Sequence, residues 1–272
     1  MPYATGEDAQ PIPRCIGCVA VVFLVAASLA GATDKADTIA RVKPSVVAVG
    51  TFERNRAPPF QFRGTGFAVG DGTIIVTNAH VLPATTDAGH RESIAILAPS
   101  IAPDSIQIRQ ARATASDTEH DVALIMIDGP PLPALQFRNS DTVREGQEVL
   151  MTGFPIGSVL GPFPATHRGM VSSITPIAIP QGRAAELDAA VVRRLAAGTF
   201  PVFQLDATAY PGNSGSPVYD AATAEVLGVV NMVFVKGTKE TALTQPSGIT
   251  YAVPARYIQA LLRATSTAAP RK

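Results

Sequence analysis

Cysteine is almost absent from this chain: Cys15 and Cys18 are the only two among 272 residues. Both fall at the start of the apolar stretch Cys15–Ala32, so their C-x-x-C spacing lacks the strand and helix context of a redox or metal site. Nor do they suit lipoprotein processing, where the modifiable cysteine follows the apolar run. Beyond that stretch there is no thiol, which excludes a disulfide framework and leaves stability to the core alone. Net charge is also missing, since 22 Lys and Arg balance 22 Asp and Glu. That balance excludes a one-sided field drawing the protein to nucleic acid or an anionic surface. Histidine is scarce. His80, His90, His120 and His167 form no H-x-x-H or H-x-x-x-H pair, so no metal site is expected, and no cofactor.

What is present is enough apolar material for a sizeable core, 46% of residues. The segment Cys15–Ala32 is uncharged, follows Arg14 and ends in Ala30-Gly31-Ala32, which reads as an export signal cleaved to leave an amino terminus near Thr33. The alternative is a retained inner-membrane anchor, and only then would the membrane be a partner. Residues 1–32 are thus assigned to the leader or anchor, and the bacterial periplasm is the expected location.

From Ser45 onward, short β-branched and apolar runs alternate with glycine, proline and aspartate, the pattern of an all-β barrel or sandwich. Twelve strands are predicted: Ser45–Phe52, Gly66–Val69, Thr73–Thr77, Ile94–Leu97, Ser105–Ala113, Val122–Ile127, Glu148–Gly153, Arg168–Ile174, Val202–Asp206, Pro217–Tyr219, Val226–Val235 and Thr250–Val253. Gly70-Asp71-Gly72 marks a hairpin delivering the third of these to His80. Helices are predicted only at Ala184–Ala197 and Ala255–Thr265. A proline-rich link around Pro130-Pro131-Leu132-Pro133 divides the strands into two sets of six, each able to close into a barrel without exposed edges. The expected domains are residues 33–138 and 139–265, with 266–272 as a flexible tail.

Three short motifs carry chemistry. Ser214 stands in Gly212-Asn213-Ser214-Gly215-Ser216-Pro217, where glycines permit a sharp turn that exposes a hydroxyl and converges backbone N–H groups. The predicted oxyanion hole draws on the amides of Gly212, Asn213 and Ser214, those of Gly212 and Ser214 foremost; losing one such donor costs about 2.7–4 kcal/mol of barrier reduction. His80 in Thr77-Asn78-Ala79-His80-Val81 ends an apolar strand and is the candidate base. Asp121, opening the apolar run Val122–Ile127, is the candidate acid, because a carboxylate at a core edge needs a partner. Asp117 is its rival. His120 is expected to point away from Asp121 by strand alternation, and His90 and His167 are expected to be solvated. An α/β-hydrolase elbow is set aside, because Ser216 breaks G-x-S-x-G and every histidine precedes the serine.

Taken together, these residues resemble the trypsin/chymotrypsin-like serine proteases, and most closely their bacterial HtrA/Deg branch. The likeness covers most of Ser45–Tyr257 and includes Gly64-Thr65-Gly66-Phe67, Gly153-Phe154-Pro155-Ile156-Gly157, Gln204-Leu205-Asp206-Ala207 and the closing Gly248–Pro254 strand. It implies a chymotrypsin-like fold of two six-stranded antiparallel β-barrels, the active site in the cleft between them and a short C-terminal helix. The sequence departs from the family at Ser216, where a second glycine is usual, and at Pro180–Phe200, where a candidate helix replaces a short activation loop. No PDZ module is expected after the closing helix.

The resemblance also places Thr208, with Ala209 beside it, at the base of the primary specificity pocket, and Asn231, Met232 and Val233 on the substrate-pairing strand. Without a fixed charge there, the pocket is expected to take a small or medium apolar side chain, and the peptide to add as an extended strand. The expected function is an exported serine endopeptidase acting on polypeptides; the alternative is a catalytically latent protease-like module that binds peptides. Ester hydrolysis would be a side reaction of the same machinery. Nothing in the sequence argues for or against a homo-oligomer.

Overall fold

The computed structural model describes residues 34–83, 92–99, 106–157, 163–177, 200–231 and 248–268. The predicted helix at Ala184–Ala197, together with His90, Met232 and Val233, lies outside them. Among the described residues there are twelve strands: β1 Val46–Phe52, β2 Phe60–Val69, β3 Ile74–Thr77, β4 Ser93–Pro99, β5 Ile106–Asp117, β6 Val122–Ile127, β7 Glu148–Gly153, β8 Ala165–Ile177, β9 Phe200–Asp206, β10 Pro217–Asp220, β11 Val226–Asn231 and β12 Ile249–Pro254. They close into two antiparallel six-stranded barrels, β1-β2-β3-β6-β5-β4 and β10-β11-β12-β9-β8-β7. Both barrels belong to one compact unit, Thr33–Lys272.

Period-2 alternation explains why β1 and β6 read as continuous apolar runs: both faces are covered. On β1, Val47 and Val49 point into the first barrel with Ile75, Ile96 and Ile125. Val46 and Ala48 point the other way, into a layer that also holds Leu124 of β6, Tyr219 and Val229 of the second barrel, and Ile258. A third cluster, including Val149, Val171, Leu205 and Leu227, fills the second barrel. Each fully buried Val, Leu or Ile contributes about 1.5–3 kcal/mol. The layer between the barrels is therefore a core in its own right.

The proline-rich link is stitched to both barrels. Leu135 donates its N–H to Ala68 O at 2.9 Å and bridges Val69 in parallel. Two residues on, Phe137 bridges Val226; Val226 N–H reaches Gln136 O at 2.7 Å, and Arg138 N–H reaches Val226 O at 3.0 Å. Arg138 also pairs with Asp220 of β10 at 3.1 Å.

Several expectations need correction. A helix not predicted from the sequence, α1 Lys35–Val42, precedes β1, with the Asp34 side chain accepting from Ala36 N–H as its N-cap. The closing helix α2 spans Ala255–Ala268, three residues beyond its predicted end, so residues 266–268 are helical and not tail. Its last hydroxyls bond back one turn, Ser266 Oγ to Leu262 O and Thr267 Oγ1 to Arg263 O, sharing carbonyls that lie four residues before them. His167 is not a solvated loop residue: it lies on β8 opposite Met151, half-buried, and burial pushes its imidazole pKa down.

Candidate active site

His80, Asp121 and Ser214 come from three separate turns: hydrogen bonds join the first two directly, and the segments of His80 and Ser214 both pack against Gly64. After β3, Asn78 stays extended and Ala79–Val81 make a single 3-10 turn, so His80 leaves the sheet at the barrel rim. Asp121 precedes β6 and adopts φ 55, a left-handed conformation that aspartate tolerates better than most residues. That turn brings both its carbonyl and its carboxylate against the Asn78–His80 segment.

Five hydrogen bonds end on Asp121. Its carbonyl accepts from Asn78 Nδ2 at 2.9 Å and Ala79 N–H at 3.3 Å. Oδ1 accepts from His80 N–H at 2.9 Å, and Oδ2 lies 2.5 Å from His80 Nδ1. Asn231 Nδ2, from the second barrel, completes the set at 2.7 Å from Oδ2. Asp121 is only 6% exposed, so the three donors on its carboxylate replace the water that its charge would otherwise need. An ionised carboxylate can only accept, so it selects the His80 tautomer with the proton on Nδ1 and leaves Nε2 as a lone-pair acceptor.

The rival acid faces elsewhere. Asp117 accepts from the amides of Glu119 and His120 and from the His120 ring, Nδ1 to Oδ2 at 2.7 Å. His120 therefore sits in a turn, not on a strand as expected. Its ring stacks on Tyr257 of α2 with centroids 3.9 Å apart.

Ser214 lies between Gly212 at φ 102 and Gly215 at φ 88, conformations that side chains rarely adopt. Its carbonyl accepts from Thr65 N–H of β2 at 2.8 Å. Gly64 marks the convergence of two site segments, because a Cβ there would fall 2.8 Å from Val81 Cγ2 and 3.0 Å from Ser214 O. The residue following His80 and the serine itself thus press on one glycine. At Gly215 a Cβ would lie 1.9 Å from Thr65 O, so only glycine lets the turn dock on β2.

Sequence reasoning missed Thr65 as an organiser. Its Oγ1 donates to Gly212 O at 2.7 Å and accepts from Phe154 N–H at 3.1 Å, tying β2 to the serine turn and to the segment after β7. It also missed Asn78 and the part played by the Asn231 side chain, which is fully buried and donates to Asp121. Asn213 is likewise corrected as an oxyanion donor, since its N–H is committed to Tyr210 O at 2.9 Å within the turn. Thr208 is half-buried, while Ala209 packs its side chain into the core of the second barrel.

Residues 64–229 match the model of the trypsin-like peptidase domain family. Among similar curated proteins are probable periplasmic serine endoproteases, DegP-like, from two Pseudomonas species. That of Pseudomonas savastanoi pv. phaseolicola is 29% identical over 187 residues, 69% of this chain and 32% of the relative. That of Pseudomonas fluorescens is 31% identical over 177 residues, 65% of this chain and 30% of the relative. The chain thus spans about a third of the length of these relatives. In architecture it resembles the HtrA-type protease AlgW with tripeptide, at 24% identity and a TM-score of 0.58 over 85% of this chain and 62% of that one. By the match over 64–229, which contains His80, Asp121 and the serine turn, the chain belongs to the trypsin-like peptidase domain family.

Proposed function

We propose that this protein is an exported serine endopeptidase that cleaves extended or unfolded polypeptides. The observation that carries the reading is the two-point hold of Asp121 on His80, through backbone N–H and ring Nδ1. Such a hold is costly to build and has one chemical use here, to present an imidazole lone pair. In the proposed reaction Ser214 Oγ bonds to the scissile carbonyl carbon while His80 Nε2 takes the hydroxyl proton. The carbonyl oxygen becomes an oxyanion received by the amides of Gly212 and Ser214. His80 then gives the proton to the leaving amine as the C–N bond breaks; water, deprotonated in turn by His80, attacks the acyl carbon, and His80 passes that proton to Ser214 Oγ as the acyl group leaves as a carboxylic acid. Asp121 orients the imidazole and stabilises its charged form without taking the proton.

Thr208 and Ala209 offer no charge, which favours a small or medium apolar side chain before the scissile bond. Asn231, Met232 and Val233 would pair with the peptide backbone, giving affinity that depends little on sequence. Export to the periplasm is supported by the apolar segment Cys15–Ala32 and by the periplasmic names of the relatives. The test is reaction of the purified protein with a fluorophosphonate probe and with unfolded casein, beside Ser214→Ala. Labelling and cleavage that both vanish in the variant support the reading; a wild-type protein that neither labels nor cleaves sinks it.

A further inference from the structure

Arg63 stands exposed on β2, one residue before Gly64, on which the His80 and Ser214 segments both press. Its Nε donates to Val81 O at 2.6 Å, so the side chain lies across the turn that carries His80. Among the described residues it makes no other hydrogen bond and no ion pair. A planar guanidinium pinned at Nε still presents Nη1 and Nη2 as a fork, the shape that grips both oxygens of a carboxylate. Glu92 does not fill that role: Thr51, then Arg56 and last Arg63 hold its carboxyl below the ordinary range, and Arg56 Nη1 bonds it at 2.9 Å.

Successive β2 side chains point opposite ways. The half-buried Phe62 ring turns to the serine side, where a Cβ on Gly212 would fall 2.8 Å from it and one on Gly157 2.9 Å. Arg63 turns to the histidine side. The direction of the reaction says which half of a substrate passes there. His80 must hand its proton to the leaving amine, so the chain beyond the scissile bond runs on the His80 side of Ser214. At about 3.3 Å per extended residue, the first two residues after the bond are those within reach of a fork pinned beside Val81.

We propose that Arg63 is a specificity-determining residue that binds a carboxylate carried by the first or second residue after the scissile bond. This rests on the serine endopeptidase reading above. The carboxylate is an Asp or Glu side chain in a long substrate, or the chain terminus of a short one. Peptides with blocked termini that differ only by Glu or Gln at those two positions test the first source; short peptides ending there as free acid or amide test the second. For at least one of these pairs kcat/KM should favour the charged member by about five- to tenfold, the upper range of an exposed ion pair. The factor should shrink as salt screens it. In Arg63→Met it should fall to about one. Arg63→Lys keeps the charge without the fork and should retain about two- to threefold, and Arg63→Glu should favour Lys over Gln at the same positions.

Each factor is a ratio within one protein, so a general loss of activity in a variant does not imitate it. Binding supplies a readout without turnover: Ser214→Ala should hold the uncleaved charged peptide about five- to tenfold more tightly than its neutral partner, and Ser214→Ala combined with Arg63→Met should hold both alike. A wild-type factor near one for both pairs, or an equal factor in Arg63→Met, overturns the proposal; the first result decides even if Arg63→Met fails to fold. A wild-type protein that neither labels nor cleaves counts against the peptidase reading instead, and the binding ratio in Ser214→Ala then decides this one alone.

Discussion

Asn231 Nδ2 donates to Asp121 Oδ2 at 2.7 Å, so the second barrel fixes the acid that the first barrel supplies. Both side chains are buried. Deleting the donor leaves a carboxylate oxygen short of one charge-assisted hydrogen bond, worth about 1.5–3 kcal/mol. Asn231→Ala should therefore lower kcat by about ten- to hundredfold if that loss appears in the transition state. Asn231→Asp should move the acidic limb of the kcat/KM profile to higher pH, because two carboxylates at that spacing cannot both ionise freely. A profile identical to wild type would show that Asn231 does not support the acid.

Asp121→Asn keeps an acceptor for His80 N–H but presents an amide to the imidazole, which favours the wrong tautomer. A loss in kcat of about 10⁴-fold is expected, with a melting temperature close to wild type. Casein turnover and a thermal melt read the two quantities separately.

Gly153 borders Ser216, where the family usually has glycine. A Cβ on Gly153 would lie 1.9 Å from Ser216 Oγ. Gly153→Ala should destabilise the protein by about 1–3 kcal/mol through overpacking. Adding Ser216→Gly should recover much of this, though not all, because Thr65 Oγ1 at 3.0 Å and Asn213 Oδ1 at 3.1 Å stay close. Chemical denaturation of the single and double variants measures the coupling.

Asp220 predicts an acid-side stability slope. Burial pushes its pKa up, but amide donors from Thr223 and Ala222, the Gln147 side chain and Arg138 outweigh this and hold it below the ordinary value. Because the folded pKa is depressed, the unfolded chain binds more protons in the intervening window. The stabilisation is therefore complete above the ordinary aspartate value of about 3.9 and is lost as pH falls through the folded pKa. Melting temperature against pH should show a shallower acid-side fall in Asp220→Asn.

The strands were legible because β-branched runs bounded by turn residues report local periodicity; β6 and β7 run as expected, Val122–Ile127 and Glu148–Gly153. The start of β2 at Phe60 was hidden, since Phe60–Arg63 alternates half-buried and exposed residues after a proline pair. The order histidine, acid and serine could be read from motifs, and the apolar run after Asp121 pointed to it over Asp117, yet the positive φ that turns Asp121 onto the His80 segment is announced by no local pattern. Asn231 bonds to a residue 110 positions away, and Thr65 spans 147 to Gly212. Such contacts arise from barrel docking, and sequence spacing carries no trace of them.

The stitched link between the barrels acts as a ruler. Leu135 is pegged to one barrel and Phe137 to the other, with a single residue between them. Removing or adding one residue there would slide one half past its neighbour by about 3.3 Å, the rise of an extended residue, whereas misplacement by about 1 Å already costs catalysis. Length at Gln136 is thus under tighter geometric control than chemistry at that position, and the segment should accept almost any side chain but no change in count.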